Sequence, residues 1–174
     1  AEAPFVATHG DKTATVTRWM EGIDAPPFWA KQIRVATGYE GPVDRWQIIK
    51  FQAPATINID VGVAQAGSGA PTGDRSKGVN GYVLNTITPE TDKSCLYFWA
   101  FARNYSLRDQ RLTHELREGV ARKFESVGGA QKVALLAAVG PLQFEVLVYR
   151  LQEKLRAMTT ARLEVVAGVG LRVG

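Results

Sequence analysis

Residues 45–65 read RWQIIKFQAPATINIDVGVAQ, and this stretch decides the fold. Arg45–Gln52 and Thr56–Gln65 are rich in β-branched and aromatic side chains, which suit the pleated, half-buried surface of a strand. Ala53-Pro54-Ala55 separates them, and proline, lacking a backbone N–H, ends ladder pairing. The two runs therefore read as neighbouring antiparallel strands.

Working outward, Thr13–Trp19 (TATVTRW) alternates like a half-buried strand. Met20–Gly38 breaks that pattern, because Pro26 and Pro27 remove two donors and fix φ, and it is expected to be a loop over a hydrophobic site. Residues 66–80 (AGSGAPTGDRSKGVN) are glycine-rich and polar, the clearest loop in the chain. Gly81–Thr88 and Ser94–Arg103 follow as strands joined by a Pro89-Glu90-Thr91-Asp92-Lys93 turn. The second is apolar on both faces, which places it centrally. Ser106 with Asp109 resembles a capping box, and Leu112, Leu116, Val120 and Phe124 then recur every four residues, giving a helix of about five turns.

After Ser126 the pattern changes. Val127-Gly128-Gly129 is a breaker, Lys132–Val139 is a short apolar strand, Pro141 opens a helix, and Ala161–Val166 returns as a strand. The expected class is α+β: a curved antiparallel sheet with a long packing helix over residues 1–126, then a small β-α-β appendage over 127–174.

A chain of 174 residues, 45% hydrophobic and 22% charged, can bury a core without staples and is neither disordered nor fibrous. Cys95 is the one cysteine, which excludes a disulfide framework or a multi-thiolate metal site and points to a reducing, cytoplasmic setting. The net charge of +4 arises from 21 basic and 17 acidic residues of mostly alternating sign, a pattern that argues against a nucleic-acid binder. No apolar run reaches the ~20 residues that span a bilayer, and no signal peptide pattern opens the chain. Cys95 reads as a small core residue, and His114 lies off the apolar helix face. His9 sits in a turn beside Asp11. Arg103, Arg108, Arg111, Arg117, Arg122 and Lys123, interleaved with Asp109, Glu115 and Glu118, read as a solvated charged surface.

Four stretches carry a family resemblance: MEGIDAPPFWAKQ (20–32), VDRWQIIKFQAPATINIDVGVA (43–64), GYVLNTITPET (81–91) and YFWAFARNY (97–105). Together they resemble the catalytic domain of Rieske-type non-haem iron oxygenases of the vanillate O-demethylase kind. The resemblance implies a helix-grip fold, assembly as trimers and a pocket for a small aromatic carboxylate. Asn58 and Asn85, amides within apolar strands, are the candidates to hydrogen-bond that ligand, with Trp99, Phe98 and Phe28 enclosing its ring. Alternatively, both amides bond to neighbouring backbone or water.

The family uses a 2Fe-2S cluster and a mononuclear iron. A Rieske cluster takes two Cys and two His, more than one cysteine and two histidines supply. His9 and His114 do not stand in the family's paired-histidine motif, Ser126 occupies the position of its ligand Asp, and Glu125 is displaced by ~100° around the helix. No catalytic, cofactor or metal residue is therefore assigned. Oxygen activation at iron, hydroxylation of a methoxy group and loss of formaldehyde are what the resemblance implies, and this chain would contribute substrate positioning to them.

A second resemblance covers LLAAVGPLQFEVLVYRLQ (135–152) and ARLEVV (161–166), which are similar to a segment of peptide chain release factor three outside its GTP-binding domain. The chain has no GxxxxGK[ST] phosphate loop. The two resemblances together describe a composite chain. With 6 basic against 3 acidic residues from 127 onward, the alternative function is an RNA or ribosome interaction module. A structural composite without a ligand is the other.

Overall fold

The alternation in residues 45–65 is realised as two long strands. In the computed structural model, which describes residues 3–127 and 164–173, β1 (Phe5–His9), β2 (Thr13–Ile23), β3 (Val43–Gln52) and β4 (Thr56–Gln65) form an antiparallel series. The first strand was not expected from the sequence. The chain divides into two compact units, Ala1–Tyr82 and Val83–Gly174.

Within the first unit the register fixes two faces. Trp19 pairs with Trp46, Trp46 with Gly62, Ile48 with Asp60, and Lys50 with Asn58. Because side chains alternate along a strand, these residues share one face, while Arg18, Arg45, Gln47, Val61 and Val63 occupy the other. Gly62 is required where it stands. A Cβ there would collide with the Trp46 ring and the Val79 carbonyl. Trp46, Ala64 and Ala70 form a buried cluster against which Trp19 and Ile48 pack.

The loop expected over Met20–Gly38 is instead the end of β2 followed by helix α1 (Pro27–Thr37). Two prolines signal a break in a strand, but at a helix start they cost nothing. Pro26 is the N-cap and Pro27 the first helical residue, where the missing N–H would have had no intrahelical partner. Trp29, Gln32 and Ile33, spaced three and four apart, form the buried stripe, and Gly38 closes the helix in a left-handed conformation at φ 75°. At the end of β2 the register shifts between Met20 and Ile23, and Asp44 ties the segment down. Its Oδ1 accepts the Gly22 N–H at 2.9 Å and its Oδ2 the Gly67 N–H at 2.8 Å.

The loop after β4 contains a short 3-10 turn at Ala70–Thr72, and β5 (Gly78–Pro89) starts three residues before the expected Gly81. In the first unit, β5 follows β4 in the strand order.

In the second unit, β6 (Cys95–Arg103) lies between β5 and β7 (Glu164–Val173), the central place its apolar sequence requires. Trp99, Ala100, Phe101, Ala102 and Arg103 are all buried. The strand expected at Ala161–Val166 is realised as β7, running to Val173 and pairing antiparallel with β6. Gly168 and Gly170 thus belong to a strand, opposite Ala100 and Phe98.

Helix α2 (Gln110–Val127) has the expected length but a different cap. Asp109 accepts the Leu112 N–H at 2.9 Å, whereas Ser106 stands at φ 47° ahead of the helix. Asp is as strong an N-cap as Ser, and Leu112 at the third helical position puts the apolar stripe in register at once. Leu112 and Leu116 are buried as expected.

Arg103 departs from expectation. It is fully buried rather than part of a solvated surface, donating to the Tyr105 carbonyl at 2.9 Å, the Asp109 carbonyl at 3.1 Å and Thr113 Oγ1 at 2.7 Å. Its planar fork satisfies several acceptors at once, which allows a cation inside. The strand expected at Lys132–Val139 and the helix from Pro141 lie outside the described residues. No helix among those residues is long and apolar enough to cross a membrane.

Candidate functional site

Asn58 projects from β4 onto the face that carries Trp46 and Asp60. Only 7% of it is exposed, and its Oδ1 is buried without a hydrogen-bond partner. A buried acceptor left unmade costs about 1–3 kcal/mol, and buried polar atoms in folded proteins are generally paired. The alternative that this amide simply bonds to neighbouring backbone is thus not met at its oxygen.

Two residues along the same strand, Asp60 is fully engaged. Its Oδ1 accepts the Trp46 indole N–H at 2.8 Å and the Asn80 amide at 2.7 Å, while Oδ2 accepts Arg75 Nη1 at 2.7 Å. Arg75 lies with its guanidinium 4.5 Å from the Trp46 ring centroid and 5.8 Å from that of Trp19, and the two indoles are 5.7 Å apart. The cation is held between a carboxylate and π faces, so the glycine-rich loop that bears it is pinned onto the sheet. Tyr82 belongs to this environment. Burial, and then the Asp60 charge, push its phenol above the usual tyrosine range. The sequence carried one signal for this network, an acid inside the apolar run TINIDVGVA, since a half-buried carboxylate needs donors.

Asn85, in the second unit, does have a partner: Tyr97 donates its hydroxyl to Asn85 Oδ1 at 2.6 Å. Tyr97 was not singled out from the sequence, although its position two residues before Trp99 places both on one face of β6. Burial raises its pKa, which keeps the phenol a donor. Phe98 pairs with Gly170 and Trp99 with Val169 in unbroken register. These two aromatic rings therefore project from opposite faces of β6 and do not wall one ring together. Phe28, in the first unit, is 39% exposed on α1 and meets Trp29 edge-on at 5.1 Å between centroids.

A cleft of about 480 Å³ lies beside α1, lined among others by Asp24, Lys31, Arg34, Tyr39 and Glu40. None of the five expected binding residues lines it. Cys95 is half-buried at the start of β6. His114 is exposed, with Nδ1 3.8 Å from Glu118 Oε1, and His9 ends β1 in the exposed turn. Among the described residues no three His, Cys, Asp or Glu side chains gather as a metal site. One cysteine and two histidines placed in this way do not fit the four-ligand demand of a Rieske cluster.

Comparison with known proteins extends this picture. The family model of the vanillate O-demethylase oxygenase C-terminal domain matches residues 1–126. The vanillate O-demethylase oxygenase subunit of Pseudomonas sp. (strain ATCC 19151) is 44% identical over 120 residues, covering 68% of this chain and 36% of that protein. A toluene-4-sulfonate monooxygenase system iron-sulfur subunit of Comamonas testosteroni is 35% identical over 119 residues, covering 68% and 33%. The matched segment thus spans about a third of the relatives' length. Among solved structures, dicamba monooxygenase bound to 3,6-dichlorosalicylic acid shares the fold, with a TM-score of 0.56 and 24% identity over 71% of this chain and 32% of that one.

Proposed function

This chain belongs to the vanillate O-demethylase oxygenase C-terminal domain family, and from that premise we propose that it is the aromatic-acid-binding part of a Rieske-type oxygenase. The observation that carries the reading is the orphaned Oδ1 of Asn58. A ligand that donates a hydrogen bond there, as the phenolic hydroxyl of a vanillate-like acid does, relieves a desolvation cost that the empty protein bears. The second unit, taken by itself, has Tyr97 holding the Asn85 amide in one orientation, with Trp99 on the same face of β6 as Tyr97.

The chain's role is to bind and orient. Oxidation would draw on a Rieske cluster held by other polypeptide, since one cysteine does not supply the two that such a cluster takes. Assembly as a trimer in the cytoplasm, on the helix-grip pattern of the family, is part of the same proposal. The RNA-binding alternative rests on a basic tail that lies largely outside the described residues.

The reading is tested by thermal unfolding of the chain with increasing vanillate and, in parallel, cyclohexanecarboxylate. Binding to the native state alone adds about 2.7 kcal/mol at a hundredfold excess over Kd. A saturable rise in midpoint with vanillate and little with the saturated acid is expected. No rise with either, in a protein that unfolds cooperatively, would overturn the assignment.

A further inference from the structure

The face of the β1–β4 series opposite Asn58 carries a second feature that aromatic-acid binding does not explain. Arg18 on β2 pairs with Gln47 on β3, and Arg45, two residues before Gln47, pairs with Met20. The two arginines are diagonal neighbours on one face, with Gln47 directly opposite Arg18 and two residues along from Arg45, a separation of ~7–8 Å that long side chains bridge. Both are half-buried, and the Nε of each is buried without an acceptor. The side chains of both arginines and of Gln47 make no hydrogen bond or ion pair with the described residues.

Among the described residues no acidic side chain pairs with either arginine. No Asp or Glu stands at a same-face register position of β1–β4, and α1 contains no acidic residue. Glu21 sits where the β2–β3 register shifts and pairs with neither arginine. Burial, followed by the neighbouring Arg18 charge, disfavours protonation of Arg45, so each cation is held against the other. Like charges on neighbouring strands cost stability unless an anion sits between them.

We infer that Arg18, Arg45 and Gln47 form a binding site for a tetrahedral dianionic oxyanion, a phosphate or sulfate group. Two guanidiniums balance two negative charges, and their planar donor edges match oxyanion geometry. A single carboxylate would leave one cation uncompensated. The site lies on the far side of the sheet from Asn58, so it stands or falls independently of the aromatic-acid site.

The test is thermal unfolding of the full chain in inorganic phosphate at constant ionic strength, balanced with chloride, for the unmodified protein and for Arg18→Gln, Arg45→Gln and Lys12→Gln. The midpoint of the unmodified protein is expected to rise saturably, with an apparent affinity at least about tenfold weaker in either arginine variant. Lys12→Gln, which removes the same charge from an exposed turn, should respond like the parent. Excluded-ion stabilisation alone would raise all four midpoints equally, and that result overturns the site. A response lost equally in Lys12→Gln, or absent from the parent, overturns it as well. Should either arginine variant fail to fold, the arginine Nε–H resonances of the unmodified protein decide. Two of them shift saturably with phosphate if the site exists, and none does if it does not.

Discussion

Tyr97 and Asn85 are joined by a 2.6 Å hydrogen bond between neighbouring strands, the hydroxyl donating to the amide oxygen. The bond sets the direction of the amide, and burial of the phenol keeps its proton in place. Tyr97→Phe removes the donor and little else. Stability is expected to fall by about 1 kcal/mol in denaturant unfolding with an unchanged m value. An unchanged midpoint would show that this bond adds nothing net to stability.

Asp60 is the acceptor on which Trp46, Asn80 and Arg75 converge. Asp60→Asn removes the charge, and its amide cannot accept from all three donors. A loss of about 2 kcal/mol is expected from chemical denaturation, with increased amide exchange in the 66–77 loop that Arg75 pins. Unchanged exchange in that loop would mean that other contacts hold it.

Buried Arg103 gives a graded expectation. Arg103→Met removes the charged donor shared by the Tyr105 carbonyl, the Asp109 carbonyl and Thr113 Oγ1, and should cost about 3 kcal/mol. Arg103→Lys keeps the charge but loses the fork, so its midpoint should fall between those of parent and Met variant. A lysine variant as stable as the parent would show that charge alone matters at this position.

Alkaline pH should destabilise the fold. Burial raises the phenol pKa of Tyr105, and more modestly of Tyr82 and Tyr97, above the ordinary value of 10.0. A group whose folded pKa is raised contributes stability that is complete below the unfolded pKa and is lost as pH climbs from there toward the folded value. The unfolding midpoint should therefore be level up to about pH 9 and decline above pH 10. Tyr105→Phe should flatten part of that decline, and an equally steep decline in the variant would remove Tyr105 from the explanation.

How far the sequence disclosed this molecule depended on whether the deciding interaction was local. β4 was legible to the residue, because Thr56–Gln65 alternates and Pro54 marks its beginning. Helix α1 was not, since Pro26 and Pro27 look alike as strand breakers and as a helix start, and only the packing of Trp29 and Ile33 separates the two. Asn58 and Asn85 stood out as amides in apolar strands, but Tyr97 as the partner of one and the orphaned oxygen of the other depend on cross-strand neighbours. The same holds for Arg103, whose acceptors come from the turn and helix that follow it. The pairing of Arg18 with Arg45 required the β2–β3 register, which composition does not contain.

The most direct measurement compares the parent with Asn58→Leu, taking both stability and vanillate affinity by calorimetry. Leucine has the same number and branching of side-chain heavy atoms and removes an acceptor that has no partner, so the unliganded protein should be as stable as the parent or more so. Affinity for vanillate should at the same time fall by about tenfold or more. Opposite movement of the two quantities identifies Asn58 as a residue kept for its ligand. A destabilised variant that binds vanillate as tightly as the parent would contradict that role and place the aromatic acid elsewhere.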